Sequence, residues 1–541
     1  MATRSRNLPA ILAGSIGLAG LATVMAGALV ALTLTAVATP GGGSWDDYLW
    51  RVVRFTLWQA VLSTVLSVGL AIPVARAIAR RRVFPGRGPL LRLFALPLAL
   101  PALVVVLGIV DVWGRHGWAA KGLALLVDDG SMPNIYGLTG ILLAHVFFNL
   151  PLAARLMIMH LERIPGENWR LASQLGMGAG AIFRFIEWPA LRAGLPGIAG
   201  LVFMLCIASF TVVLTLGGGP AATTIEVAIY QALRFDFDPG RAVILALVQL
   251  GMTAVLIALG MRLTMPAVTT PSLNRPILRP DCAKLAGRVG DGMVIALAAL
   301  FIVLPLIALT VSATAAPMGK LLGEAIVWQA ILTSLAIGAT AAVLCITLAW
   351  SLLIAAHAAK RMPGTSWWKA GFIMACGSGG SLILVMPPIF LGAGWFVLLH
   401  GLGEGFALAP AVVVTINGLM ALPYTLRILG PAHASAAADH DRLCDSLGIS
   451  GWNRWRLADW PVLRPAFGLA FAFAMALSLG DLGAVALFGS EDLTTLPLLI
   501  LQRMGSYRTA DAAGLAFMLA IFCLILIIGA ERATAKTDNG R

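Results

Sequence analysis

Residues 170–189 read Arg170-Leu171-Ala172-Ser173-Gln174-Leu175-Gly176-Met177-Gly178-Ala179-Gly180-Ala181-Ile182-Phe183-Arg184-Phe185-Ile186-Glu187-Trp188-Pro189. At an offset of 272 residues the chain reads Arg442-Leu443-Cys444, then Leu447-Gly448, then Ala458-Asp459-Trp460-Pro461. Each copy predicts a short helix, a Gly turn, a second short amphipathic helix and a Pro that opens the next helix. Gly suits the left-handed end of a helix, and Pro suits a first helical turn. Phe183, Ile186, Trp188 and Leu191 form an apolar stripe beside Arg184, Glu187 and Arg192.

The repetition extends outward from these loops. Leu150-Pro151 with Arg155 returns as Leu422-Pro423 with Arg427, Gly217 returns as Gly489, and Thr223-Thr224 falls within one residue of Thr494-Thr495. Trp58-Gln59-Ala60-Val61-Leu62 returns as Trp328-Gln329-Ala330-Ile331-Leu332. Shared hydrophobicity does not produce so constant an offset. The halves have the same orientation, which makes this a parallel duplication about an axis along the membrane normal. The domain division that follows is an N-terminal helix and outer loop (1–54), a first transmembrane domain (55–262), a linker plus seventh span (263–325), a second transmembrane domain (326–531) and a tail (532–541). The Pro- and Arg-bearing stretch 262–288 is the linker proper.

Between the loops lie long apolar blocks. The 541 residues are 59% hydrophobic and 12% charged, with a mean hydropathy of +0.90; soluble domains carry about 25% charged residues. A spanning helix needs roughly 20 apolar residues. Twelve runs qualify: 8–36, 55–75, 93–112, 136–159, 193–216, 242–261, 289–312, 326–356, 371–399, 408–428, 465–488 and 510–530. The fold class is therefore an all-α membrane protein of about twelve transmembrane helices in two parallel pseudosymmetric halves.

With the N-terminus inside, 29 of the 38 Lys and Arg fall on the inner side, which by the positive-inside rule puts both termini in the cytoplasm. The net charge of +13 then reads as retained cationic loops, and no nucleic-acid partner is implied. The first run follows Arg4 and Arg6. Ala36-Val37-Ala38 has the form of a cleavage site, but Leu8 to Thr35 is longer than the 7–15 residues of a signal peptide's apolar region, so an uncleaved anchor is expected. The six cysteines have no metal-ligand spacing, and no disulfide or metal site is implied.

The duplicated loop resembles the cytoplasmic loop of type I ABC importer permeases. Those read Glu-Ala-Ala, three residues, Gly, nine residues, Ile-x-Leu-Pro. The Gly-to-Pro spacing is the same in both copies here, with Arg170 and Arg442 at the opening Glu and Trp188 and Trp460 at the Leu. The resemblance implies ATPase-coupling roles for Arg170, Ala172, Gly176, Ile186 and Pro189, and for Arg442, Cys444, Gly448, Ala458 and Pro461. Longer strings look like fused thiamine permeases: Trp113-Gly114-Arg115-His116-Gly117-Trp118, Leu143 through Pro151, Pro165-Gly166-Glu167, Leu216-Gly217-Gly218-Gly219-Pro220, Thr223-Thr224-Ile225-Glu226 with Tyr230-Gln231-Ala232-Leu233, and Ala486-Leu487-Phe488-Gly489. This resemblance implies an inner-membrane importer of thiamine or its phosphate esters, fed by a periplasmic thiamine-binding protein and driven by an ATP-binding cassette ATPase dimer.

Gly319-Lys320 is followed by Leu321, so no phosphate-cradling loop is written in the chain. ATP-Mg would be used by the partner, and this chain would bind no cofactor and carry no catalytic residue. Polar residues within apolar runs are costly and default to function. Asp481 lies inside the eleventh run with Ser209 as its repeat mate, and His145 is paired likewise with Asn417. For a cationic cargo, one carboxylate and aromatic faces would line a pathway; the alternative is that Asp481 caps a broken helix. His145 and Asn149, four apart on one helical face, read as interhelical hydrogen-bonding groups or as pathway residues. Three rival functions stay open: a ferric-iron or other small-solute permease of the same architecture, a proton-coupled secondary transporter, and a polytopic membrane enzyme.

Overall fold

The computed structural model describes residues 2–538 except 39–45, 82–83, 116, 125–133, 264–278, 280, 282–284, 363, 365, 384–385, 402, 404–406 and 491–492. Most of the expected linker therefore lies outside the described residues. Among those described there are helices and connections and no strand. Besides short helical turns, the first half has α1 (Ala2–Ala38), α2 (Asp47–Arg80), α3 (Ala102–Trp113), α4 (Leu138–Glu162), α5 (Gly166–Gln174), α6 (Trp188–Ile207), α7 (Phe210–Leu216), α8 (Ile225–Arg234) and α9 (Pro239–Leu263). The second likewise has α10 (Leu285–Thr314), α11 (Ala325–Arg361), α12 (Trp367–Leu382), α13 (Pro388–Gly401), α14 (Ala409–Ser446), α15 (Trp460–Gly480), α16 (Gly483–Phe488), α17 (Leu496–Gly505) and α18 (Thr509–Asp538).

Eleven stretches among the described residues are long and apolar enough to cross a membrane, and the shorter apolar α13 stands in the ninth expected run. The protein is a multi-pass membrane protein. Four of the twelve runs are interrupted. Pro97 and Pro101 divide 93–112, and Pro387-Pro388 separates α12 from α13, because proline cannot donate the next helical hydrogen bond. The runs 193–216 and 465–488 break at Ala208–Ser209 and Asp481–Leu482, which overlap at the mated pair Ser209 and Asp481. Neither break carries a proline. Side chains meet the freed groups instead, which is how irregular backbone survives at membrane depth.

The two halves exchange their first helices. α1 packs against α11 and α13 of the second half, whereas α10 packs against α3 and α2 of the first. Glycines make both crossings close, as expected where lipid supplies no hydrophobic drive. A Cβ on Gly394 would lie 2.6 Å from the Ala28 carbonyl oxygen, and one on Gly108 would lie 2.4 Å from that of Pro305. Trp395 adds an Nε1 hydrogen bond to the Val24 carbonyl at 3.1 Å. Between the halves, α8 meets α13 and α16.

The helices α2 and α11 are each tied at the face opposite the duplicated loops. Asp46 caps α2 by accepting from the Leu49 amide at 2.8 Å and pairs with Arg241 at 2.8 Å. Glu324, at the start of α11, pairs with Arg503 and with Arg508. On the same face Phe237 and Tyr507 are the two non-glycine residues with positive φ among those described (52° and 59°). Both side chains are highly exposed.

Candidate functional site

The two loops fold alike. In the first, the Met177 amide donates to the Ala172 carbonyl at 2.9 Å and the Gly176 amide to the Ser173 carbonyl at 3.1 Å. In the second, Ile449 donates to Cys444 at 2.9 Å and Gly448 to Asp445 at 3.4 Å. This 6→1 and 5→2 pairing is a Schellman motif, which needs a left-handed residue after the helix. Gly176 and Gly448 supply it, with φ of +60° and +66°. One turn of wider, π-helical winding follows in each loop, Phe183–Glu187 and Trp455–Asp459, before Trp188 and Trp460 open α6 and α15. Ile186 and Ala458 lie in those turns, and Pro189 and Pro461 sit in the first turn of the following helices.

One local expectation fails. The helix before Gly448 is not a separate short one; α14 runs unbroken into Ser446. In the first half Pro165, in extended backbone, separates α4 from α5, and its repeat position holds Ala437, which continues the helix.

The loops also expose the same surface. Ala172 and Cys444 are buried, so they pack inward. Leu171, Leu175 and Phe185 point outward, as do their mates Leu443, Leu447 and Leu457, each 54–66% exposed. Arg170 and Arg442 are exposed beside them. The anchoring differs. Arg76 lies over the Phe183 ring at 4.5 Å and pairs with the buried Glu187 at 2.5 Å. In the second half Trp350 packs instead on Trp455, centroids 5.0 Å apart.

Within the spans, the five polar candidates divide into two groups. His145 is buried and uses both ring nitrogens, toward Ser63 Oγ and Ser209 Oγ, each at 2.8 Å. That chain ties α2 and α4 to the α6–α7 break. Asn149 donates to Cys206 Sγ at 3.4 Å. These three are not among the residues lining the cavity that Asp481 and Asn417 share. That cavity, of about 300 Å³, lies between the halves and is lined also by Pro101, Pro388, Met420 and Tyr424. Asn417 donates to Ser478 Oγ at 2.9 Å, and its buried carbonyl oxygen has no hydrogen-bond partner among the described residues. The Asp481 carboxylate accepts weakly from the Gly483 and Ala484 amides, at 3.4 and 3.3 Å, capping α16.

No family model matches the chain. Individual relatives do. It is 53% identical over 530 residues to the thiamine transport system permease protein ThiP of Brucella abortus, covering 97% of this chain and 95% of the relative. It is 44% identical over 547 residues to the protein of that name from Salmonella typhimurium (99% and 100% covered), and 45% identical over 499 residues to that from Escherichia coli (91% of each). The chain belongs to the thiamine transport system permease family. It is a transport component, and neither the iron, the secondary-transporter nor the enzyme reading is favoured by these relatives.

Three features of this permease were not singled out by reading its sequence. Glu226, buried at the start of α8, lies within electrostatic reach of Asp481; an acid inside Thr223-Thr224-Ile225-Glu226 was the available signal. Tyr424 joins the Asp481 cavity from a different helix. Arg279 and Asp281 come from the inter-half segment to the first loop, and nothing local in the sequence marks them.

Proposed function

We propose that this chain is the membrane-spanning subunit of an ATP-driven importer of thiamine or its phosphate esters, seated in the bacterial inner membrane with both termini and both loops in the cytoplasm. One observation carries the reading: two loops of one geometry, 272 residues apart, present the same outward apolar triad. Two equivalent knobs fit two equivalent sockets, as an ATP-binding cassette dimer would provide. ATP-Mg is bound and hydrolysed there. Closure of the dimer carries both loops together and switches the cavity between halves from one face to the other.

A periplasmic thiamine-binding protein delivers cargo to the opposite face, where Phe237 and Tyr507 offer two matched contacts. Non-glycine residues held at positive φ cost energy and cluster at functional sites. Thiamine's fixed positive charge has to cross a region of low dielectric, where an unpaired ion is expensive. The Asp481 carboxylate supplies a counter-charge, the Tyr424 ring a cation-binding face, and the Asn417 carbonyl an acceptor for an amine. The pathway role of Ser209, His145 and Asn149 is indirect: they hold the helix breaks.

The test is uptake of labelled thiamine by a strain deleted for its own thiamine permease and given this chain with its ATPase and binding protein. Restored uptake at nanomolar to micromolar thiamine supports the reading; no uptake with the chain present in the membrane refutes it.

A further inference from the structure

The two loops are each held by an arginine, half-buried in the second and buried in the first, and it comes from different places. In the second loop, Arg454 bridges Asp441 at 2.6 Å and Asp459 at 3.2 Å. The repeat mates of those two acids are Trp169 and Glu187, and the mate of Arg454 itself is Ile182. The first loop thus has no arginine at the mated position. Arg279 takes the equivalent position from the segment joining the halves: its guanidinium stacks over the Trp169 ring at 4.1 Å and pairs with Glu187. Arg279 and Glu187 side chains are 3% and 0% exposed.

Arg279 is itself fixed. Asp281 accepts from its Nε at 3.1 Å and its Nη2 at 3.2 Å, and this paired geometry orients the planar guanidinium. Asp281 also pairs with Arg80 at 2.9 Å, and Asp291 on α10 pairs with Arg80 and Arg81 at 3.3 and 3.1 Å. With Arg76 on Glu187, an alternating row of charges runs from the first loop through the linker to the ends of α2 and α10.

We propose that the inter-half linker is a working part of the first loop: Arg279, held by Asp281, is the positioning residue that fixes the Trp169–Glu187 surface, as Arg454 fixes Asp441–Asp459 in the second. This rests on the reading of both loops as ATPase-docking loops. Without Arg279 the buried Glu187 keeps only Arg76 and the buried Asp281 only Arg80 among the described residues. A buried carboxylate that loses part of its pairing is destabilised locally, so removing Arg279 loosens one loop and spares the other. The linker then couples the joint between the halves to one docking site only, and the two loops, alike in backbone, differ in what controls them.

The experiment measures backbone hydrogen exchange of segments 166–189 and 441–461, together with thiamine taken up per ATP hydrolysed, in the full complex. Arg279→Ala should raise exchange in 166–189 by about tenfold or more and leave 441–461 unchanged. Arg454→Ala should do the reverse. Arg279→Lys, which keeps charge without the planar fork or the stacking, should fall between. Uptake per ATP should drop in both alanine variants; general misfolding would lower uptake and hydrolysis together and leave that ratio alone. Should Arg279→Ala not accumulate, Asp281→Asn tests the same link with a smaller change. Unchanged exchange in 166–189 in the Arg279→Ala protein, or in the Asp281→Asn protein if that is the one obtained, overturns the clamp. Raised exchange with an unchanged ratio upholds the clamp and overturns the docking-loop reading.

Discussion

Valine at Gly176 imposes a penalty whose size follows from the backbone. At φ +60° an L-residue with a branched side chain costs roughly 1–2 kcal/mol. A Cβ there meets nothing within 4 Å, so no packing clash adds to it. The two hydrogen bonds that close the turn, at 2.9 and 3.1 Å, each contribute about 0.5–1.5 kcal/mol net. The penalty is therefore of the same size as the turn's own stabilisation, and shifts the closed-to-open balance by about 5–30-fold. Gly448→Val, at +66°, should behave the same way. The loops share no partner, so the double variant should lose roughly 2–4 kcal/mol. The assay is thiamine accumulated per ATP hydrolysed in proteoliposomes. Each valine variant should insert normally and lose several-fold in this ratio, and the double variant more. Gly176→Asn should be close to wild type, since Asn tolerates the left-handed region; so should Gly178→Ala, where φ is −73°. Both valine variants at the wild-type ratio would refute the assignment of these glycines to the docking geometry.

Other expectations follow from the same geometry. Asp481→Asn keeps an acceptor for the α16 amides and drops the charge, so thiamine uptake should fall roughly tenfold, equivalent to about 1.4 kcal/mol, at normal protein level; uptake at the wild-type rate would leave Asp481 with a capping role alone. Gly394→Leu drives a side chain into the Ala28 backbone and should cost about 1–3 kcal/mol or more, read as a lowered Tm or reduced membrane content. Joint replacement of Phe237 and Tyr507 by alanine should raise the concentration of loaded binding protein needed for half-maximal uptake while leaving basal ATP hydrolysis unchanged. Burial pushes the Asp281 carboxyl up, but the Arg279 hydrogen bond and charge, with Arg80, hold it below the usual carboxylate range. A depressed folded pKa stabilises above the unfolded value of about 3.9 and is lost as pH falls through the folded one, so exchange protection of 166–189 should be flat from pH 8 to 5 and decline only below about pH 4.

The span plan, the duplication and the Gly turns were legible because each is written locally: run length, a constant offset, and a residue type that one backbone conformation demands. The break at Ser209 was not, since an apolar run barely registers one polar residue; the break at Asp481 was legible only as one of two readings of that residue, a carboxylate capping a broken helix. What stabilises the first break is His145, 64 residues away. The exchange of first helices depends on Gly14, Gly108 and Gly394 meeting backbone from distant elements, and a glycine in a sequence does not say what approaches it. Asp481 and Asn417 were readable as polar residues in apolar runs, but not that they share a cavity while Ser209 and Asn149 do not line it. The missing Pro at Ala437 was visible, and its consequence, an unbroken α14, follows directly from it. The Arg279–Glu187 pair spans 92 residues and is a property of the folded chain alone.

The most direct test of the whole account is thiamine accumulation in proteoliposomes holding this chain and its ATPase, with the binding protein outside. The account predicts uptake that requires all three proteins and hydrolysable ATP, continues against a thiamine gradient, and persists when the proton gradient is collapsed. Uptake that proceeds without ATPase or binding protein and stops with the proton gradient would contradict it.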